Sequence, residues 1–358
     1  MNPLLMCNQT VGSGLNNTGG RTLKEDSPFY TMRTTIEVYD IQIKRSGTLM
    51  DFGEDPDFFD IISNEETGFV HHVDMNKTGD IATLKRTVRI PATITNDDGD
   101  LIKFHHSNKR ERYICGIIES GPYGKEFDVA NKDTPNEVAY TVGKDQAVIK
   151  PFFYYLKIPR HGDRALLILE RTDNEGIFPL MQLLLKTFLN DHYGIEKGYT
   201  IEKNNIILNT YLEELNEGRY KSLTLTALQP SSDASDRYFG GLESKDFTME
   251  LKIKFKNNLG DAKEREIRNL INNGTTLFEL QDFNSIFEGS TRKVVSTVGS
   301  GSASKTRTLY LNTEQQSLIH PYYDIEVEAN EHNFSSYPSI KGVVKAFVTE
   351  HREFSNFN

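Results

Sequence analysis

Four basic side chains, Arg292, Lys293, Lys305 and Arg307, flank the run Gly299-Ser300-Gly301-Ser302-Ala303-Ser304, and no acid falls within residues 290–307. Small residues let backbone N–H groups approach an anion, and hydroxyls with Lys and Arg supply donors for phosphate oxygens. The chemistry expected there is contact with nucleic-acid or nucleotide phosphates, and the competing expectation is a solvated hairpin tip. The pattern is not the nucleotide-binding loop, which needs four residues between Gly and Gly-Lys-Ser/Thr ahead of a helix. A second basic stretch, Lys109, Arg110 and Arg112, leads into Tyr113 and is followed by Gly121-Pro122-Tyr123-Gly124-Lys125. Positive charge beside tyrosines is the means of neutralising phosphate while stacking a base. The plainer reading is a charged turn entering a buried strand.

Glu250-Leu251-Lys252, with Asp236 and Asp246 upstream, points to different chemistry. A nuclease of the restriction-endonuclease type uses an acid and a Glu-x-Lys strand to hold Mg²⁺ and activate water. Strand alternation puts Glu250 and Lys252 on one face, as that chemistry requires. Met249, Leu251, Ile253 and Phe255 fill the other face, so Glu250, Lys252, Lys254 and Lys256 also read as a solvated face. Two histidine pairs, His71-His72 and His105-His106, stand near Asp74 and Asp100. On strands each pair offers only one ligand to a common metal, and no cysteine joins them. His161 and Asp163 in Pro159-Arg160-His161-Gly162-Asp163 lack the Gly-x-Ser-x-Gly elbow of a hydrolase, and the Gly-rich dinucleotide fingerprint is missing too. Residues 46–76 carry eight acids and no Lys or Arg, suiting a basic partner or solubility. The calcium-loop spacing of ligands is absent from them.

The elements that would position these groups follow from periodicity. Strands are predicted over 34–43, 113–118, 147–158, 164–170, 223–228 and 247–255, and hairpins over 80–104 and 294–311. Asn96-Asp97-Asp98-Gly99 is turn chemistry between the arms of the first hairpin. Apolar positions three and four apart predict helices over 177–192, 203–217 and 261–273, with a short one over 57–62. Residues 325–327 and 343–348 read as closing strands. The fold class expected is α+β, with an antiparallel β-rich N-terminal half and a C-terminal half of helices packed on a sheet. The division expected is a flexible leader over 1–30, a β-rich domain over 31–160 and an α+β domain over 161–358.

Composition narrows the function classes. The 358 residues are 37% hydrophobic and 26% charged, enough apolar material for a core and too much for a disordered chain. A net charge of −10 argues against a general nucleic-acid coat or a membrane-surface protein, and leaves room for one local basic face. Cys7 and Cys115 stand far apart, which fits a reducing compartment, and no apolar run is long enough to span a membrane. The leader has no basic start and is not a secretory signal, so a cytoplasmic protein is expected. The leading expectation is a non-catalytic protein binding nucleic acid or nucleotide phosphates, with no cofactor, no metal and no membrane partner. Its general cast is that of an accessory or sensor component of a prokaryotic defence system, though no single residue carries that. The alternatives are the Mg²⁺-dependent nuclease and a protein-interaction subunit, with a protein partner or a homo-oligomer.

Overall fold

A computed structural model describes residues 31–54, 56–75, 83–95, 101–173, 175–194, 198–227, 243, 245–256, 260–266, 291–298, 305–310 and 321–357. The centre is a nine-stranded antiparallel sheet whose long strands are β1 (Thr31–Arg45), β7 (Tyr113–Pro122), β10 (Lys150–Lys157) and β11 (Arg164–Arg171), in the order β1-β11-β10-β7. The free edge of β1 is closed by two short strands laid end to end. β17 (Tyr322–Glu328) takes residues 31–37, and β12 (Tyr199–Asn205) takes residues 39–45. The outer edge of β7 is tiled the same way, by β6 (His105–Asn108) and β3 (Arg86–Arg89). β2 (Thr48–Leu49) folds back on the end of β1.

Both faces of this sheet are covered, and its strands are written accordingly. Ala165-Leu166-Leu167-Ile168-Leu169 in β11 is a continuous apolar run, every residue buried, as a strand packed on both sides must be. On one face Tyr39, Ile41 and Ile43 meet α1 (Phe58–Ile62), α2 (Phe69–Met75) and α3 (Phe178–Tyr193). The stripe of α3 is the predicted one, Leu180, Met181, Leu184, Leu185, Phe188 and Leu189, with Pro179 in the first turn and Gly194 at the C-cap. On the other face Ile36, Val38, Phe153 and Ile168 meet Leu208 and Tyr211 at the start of α4 (Asn209–Glu217). Ile340, Val344 and Val348 of α5 (Tyr337–Glu350) and the 3₁₀ turn Arg352–Phe357 complete that layer. Burying each such side chain stabilises the fold by about 1.5–3 kcal/mol.

Three smaller sheets stand off the centre. β13 (Arg219–Ala227), β14 (Met249–Lys254), β15 (Thr291–Val298) and β16 (Lys305–Tyr310) form one in the order β14-β13-β15-β16. β4 (Ile94–Thr95) pairs β5 (Leu101–Ile102), and β8 (Phe127–Asn131) pairs β9 (Thr134–Val142). The chain is thus β-rich with few helices, within the α+β class.

Several expectations change. Residues 343–348 belong to helix α5, not a strand: Ile340, Val344 and Val348 are four apart, and Pro338 opens the first turn. Residues 203–205 are the end of strand β12, and the helix starts only at Asn209, because the edge of β1 needs a partner there. Of the hairpin over 80–104 only β4–β5 remains, while Val88 pairs with β7 instead. His71 and His72 lie on helix α2. The domain boundary at residue 160 falls in the turn joining β10 to β11, which pair within one sheet. The leader over 1–30, the tip over 299–304 and most of the helix over 261–273 lie outside the described residues.

The same turn shows why Arg112 is not a phosphate contact. Its guanidinium makes a two-pronged bond to the Asp57 carboxylate at 2.8 and 2.7 Å and donates to Ile158 O at 3.0 Å and Pro159 O at 3.1 Å. It also lies 5.1 Å from the Phe59 ring centre. Asp57 in turn caps α1 by accepting from Phe59 N. Burial pushes the Asp57 carboxyl up, but the bonds from Arg112 and Phe59 N outweigh it and leave the group below its usual range. Asp51 clasps the neighbouring turn by accepting from Gly162 N at 3.1 Å, so two of the acids in residues 51–74 hold the sheet end together. Replacing Arg112 by Met leaves Asp57 with its helix-cap bond alone and two carbonyls without their donor. It should lower the unfolding free energy by about 3 kcal/mol in urea titrations; a loss under about 1 kcal/mol would refute this clamp.

Candidate functional site

The register of the four-stranded sheet decides which predicted residues share a surface. Lys252 stands opposite Thr224, and Thr224 opposite Lys293; one pair further along, Lys254 stands opposite Ser222. Residues directly across antiparallel strands project to the same face, as do residues two apart. Lys252, Lys254 and Lys293 therefore lie on one face, with Ser222 and Thr224 buried between them. Glu250 pairs with Thr226 at the end of that face. The exposed flank is β14, where Lys252, Lys254 and the following Lys256 alternate with half-buried Leu251, Ile253 and Phe255. Two residues read from rival expectations, Lys252 and Lys293, thus occupy the same cross-strand row.

Arg307 goes the other way. It pairs with Ser296 on the opposite face, where it is 6% exposed. Its Nε and Nη2 donate to Glu214 of α4, Nη1 donates to Tyr322 O at 2.9 Å, and the guanidinium lies 4.8 Å from the centre of the Tyr211 ring. With its donors engaged inside, Arg307 docks the small sheet onto α4 and β17, and that corrects its reading as a phosphate ligand. Arg292 pairs with Leu225 and projects to this same packed face, half-buried. Lys305 pairs with Val298 at the start of β16.

Lys109 and Arg110 are exposed on the turn between β6 and β7, next to the Arg112 clamp. They belong to the edge of the central sheet, whereas the lysine row belongs to the small one. The small sheet meets the central one at β17, and β17, β1, β11, β10 and β7 are successive neighbours. Four strand spacings put β7 about 19 Å across from there. Along the strands, Lys157 beside the clamp stands level with Asp40, three residues beyond the Tyr322–Glu37 pairing.

The nuclease set is only partly gathered. Glu250 and Lys252 share a face as alternation requires, Asp246 accepts from Glu243 N at 3.0 Å, and Asp236 lies outside the described residues. Among the described residues no group of three His, Cys, Asp or Glu could hold a metal ion.

Two polar sites were missed by sequence reasoning. Glu170, the one acid closing the aliphatic run of β11, is 3% exposed on the floor of a cleft of about 240 Å³. Thr34, Thr35, Thr172 and Ser335 supply its hydroxyl lining, and Arg33 and Asn333 stand at its side. Thr34 Oγ1 donates to Glu170 at 3.0 Å, Phe153 N at 3.1 Å, and Ser335 Oγ at 2.5 Å. Burial raises the Glu170 carboxyl above the ordinary range, against the pull of these donors. The signal in the sequence was a lone carboxylate ending a buried strand. The second site is His72, buried against Phe188, with Nε2 3.0 Å from Thr187 Oγ1 and Nδ1 3.3 Å from Asp191 Oδ2. This resembles a hydroxyl–imidazole–carboxylate relay, but Thr187 donates its proton to Leu184 O. The single proton of that hydroxyl is thus engaged with a carbonyl, which is not the arrangement of a nucleophile giving its proton to an imidazole.

No known protein family, curated protein or solved structure gives a significant match to this chain. The described residues include no helix long and apolar enough to cross a membrane.

The raised Glu170 carboxyl sets a pH dependence. A group that binds its proton more tightly in the folded chain makes stability fall as pH rises from the ordinary value of 4.5 through the folded one. Glu170→Gln keeps an acceptor for Phe153 N and offers N–H groups to the two hydroxyl oxygens, so that fall should vanish. Melting temperatures from about pH 4 to about pH 8 check it. Parallel profiles for wild type and variant would show that Glu170 is not the group responsible.

Proposed function

We propose that this chain is a non-catalytic binding protein that contacts nucleic-acid phosphates through the lysine face of its four-stranded sheet. The observation that supports the reading is the cross-strand gathering of Lys252, Lys254 and Lys293 on one face of a chain whose net charge is −10. Ammonium groups on long stems act as point charges for phosphate and are strongly salt-dependent. Arg292, Lys305 and Arg307 border this sheet, and of these Arg307 acts through docking alone. Lys109 and Arg110, on the far side of the central sheet, would form at most a separate contact.

Fluorescence anisotropy with labelled single- and double-stranded DNA and RNA tests the proposal. Binding should weaken steeply with salt, and a triple Lys252→Glu, Lys254→Glu, Lys293→Glu variant should lose at least about tenfold in affinity. The slope of log affinity against log salt should shrink by about 2 in the variant, since each phosphate contact contributes ~0.7–0.9. Lys109→Ala with Arg110→Ala should leave affinity unchanged. If wild type fails to bind at about 50 mM salt, or the triple variant binds as well as wild type, the lysines of β14 only guard a sheet edge against strand addition.

A further inference from the structure

Three acids are buried among the described residues, Glu37, Asp40 and Glu170, and two of them have a cation. Glu37 meets Arg171 and Asp40 meets Arg164, whereas Glu170 forms no ion pair among the described residues. Its three donors, Thr34 Oγ1, Ser335 Oγ and Phe153 N, are all neutral. Hydrogen bonds from neutral groups offset only part of the cost of burying a charge. Burial accordingly raises this carboxyl above its ordinary range. Glu170 is therefore the buried acid that lacks a counter-charge.

The cleft above it follows from the topology. The β1–β11 ladder ends at the Thr35–Arg171 pair, while β1 continues to Thr31 along β17. β11 leaves at Thr172 into a turn closed by Thr172 N donating to Glu175 O and Glu175 N to Thr172 O. A second wall is the turn before α5, closed by Asn330 N donating to Phe334 O and Phe334 N to Asn330 Oδ1. Asp173 and Asn333, at φ of 50° and 61°, take the left-handed corners of these turns, and both line the cleft. The lining hydroxyls all donate elsewhere. Thr34 and Ser335 donate to Glu170, Thr35 Oγ1 to Asp324 at 3.2 Å, and Thr172 Oγ1 to Pro151 O at 2.9 Å. A hydroxyl has one proton and two lone pairs, so these four offer the cleft acceptors only.

We propose that this cleft binds a small zwitterion of the α-amino-acid type, its ammonium on the hydroxyl oxygens above Glu170 and its carboxylate on Arg33. An ammonium brings three N–H donors to a lining of acceptors, and with them the positive charge that Glu170 lacks. Arg33 lines the cleft, is exposed and forms no ion pair among the described residues, so its guanidinium is available to a carboxylate. Arg171 and Asp173 line it too, but they are engaged with Glu37 and Lys150. The volume of about 240 Å³ is roughly eight times a water molecule's share of the liquid. A bare metal ion would leave most of that space empty and Arg33 unanswered. An amine without an acid would set like charge against Arg33. This site is independent of the lysine face.

Thermal melting of the full chain with each common L-amino acid at about 10 mM finds the ligand, and calorimetry then measures its affinity. At least one amino acid should raise the melting temperature by about 2 °C or more. Arg33→Ala should bind that amino acid at least about tenfold more weakly, and wild type should bind the matching amine without its carboxylate just as weakly. Glu170→Gln, which keeps hydrogen-bonding groups and loses the charge, should weaken binding by a similar factor. Arg33 is exposed and unpaired among the described residues, so Arg33→Ala should melt as wild type without ligand. That variant decides the matter alone if Glu170→Gln does not fold. No shift with any amino acid, or a shift that either variant leaves intact, would overturn the proposal.

Discussion

The rest of the structure depends on the pairing of β1 with β11, because this strand pair is buried on both sides. β11 lies between β1 and β10 with helices over each face, so its central run Ala165–Leu169 is apolar in every position and exposes no backbone group. β1 is too long for any single partner at its outer edge, and that edge is satisfied by β17 and β12 in succession. These two strands come from distant parts of the chain. Closing the edge of β1 therefore fixes where α3, α4 and α5 are delivered, and α4 in turn carries the small sheet.

The buried acids of this pair each meet an answering group, and only Asp40 Oδ1 among their oxygens is buried without a hydrogen bond. Glu37 meets Arg171 at 2.6 Å, Asp40 meets Arg164, and Glu170 is held by two hydroxyls and a backbone N–H. A buried carboxylate without such partners costs several kcal/mol. Lys203 shows the same economy from a cation's side, with Nζ 4.5 and 4.0 Å from the ring centres of Tyr39 and Phe178. These contacts sort the charged residues of the chain into two kinds. Arg112 and Arg307 are internal ties, each using its planar fork on a carboxylate and a carbonyl, while the lysines of β14 face outward.

How far this was legible depended on whether local pattern and tertiary demand agreed. α3 was readable because its stripe, its proline and its terminal glycine all agree. Residues 343–348 were misread because Val343, Val344, Phe347 and Val348 make a β-like apolar cluster when taken alone. Only the wider spacing from Ile340 through Val348, behind Pro338, marks the helix. For the candidate site, composition and spacing picked out the basic residues but not their faces. Arg292 and Lys293 are neighbours in the chain and project to opposite sides of the sheet.

The sequence by itself determined the β-rich character, the long helix of α3, the short helix at 58–62 and the existence of a basic hairpin, since each is written in local periodicity and turn chemistry. Tertiary structure alone decided that residues 31–45 and 164–171 share one sheet and that Arg112 and Arg307 are buried ties. It also decided that Lys252 and Lys293 share a row. The reason is that side-chain period settles the two faces of a strand, whereas which strand lies beside it, and which face is covered, depends on contacts between residues a hundred or more positions apart.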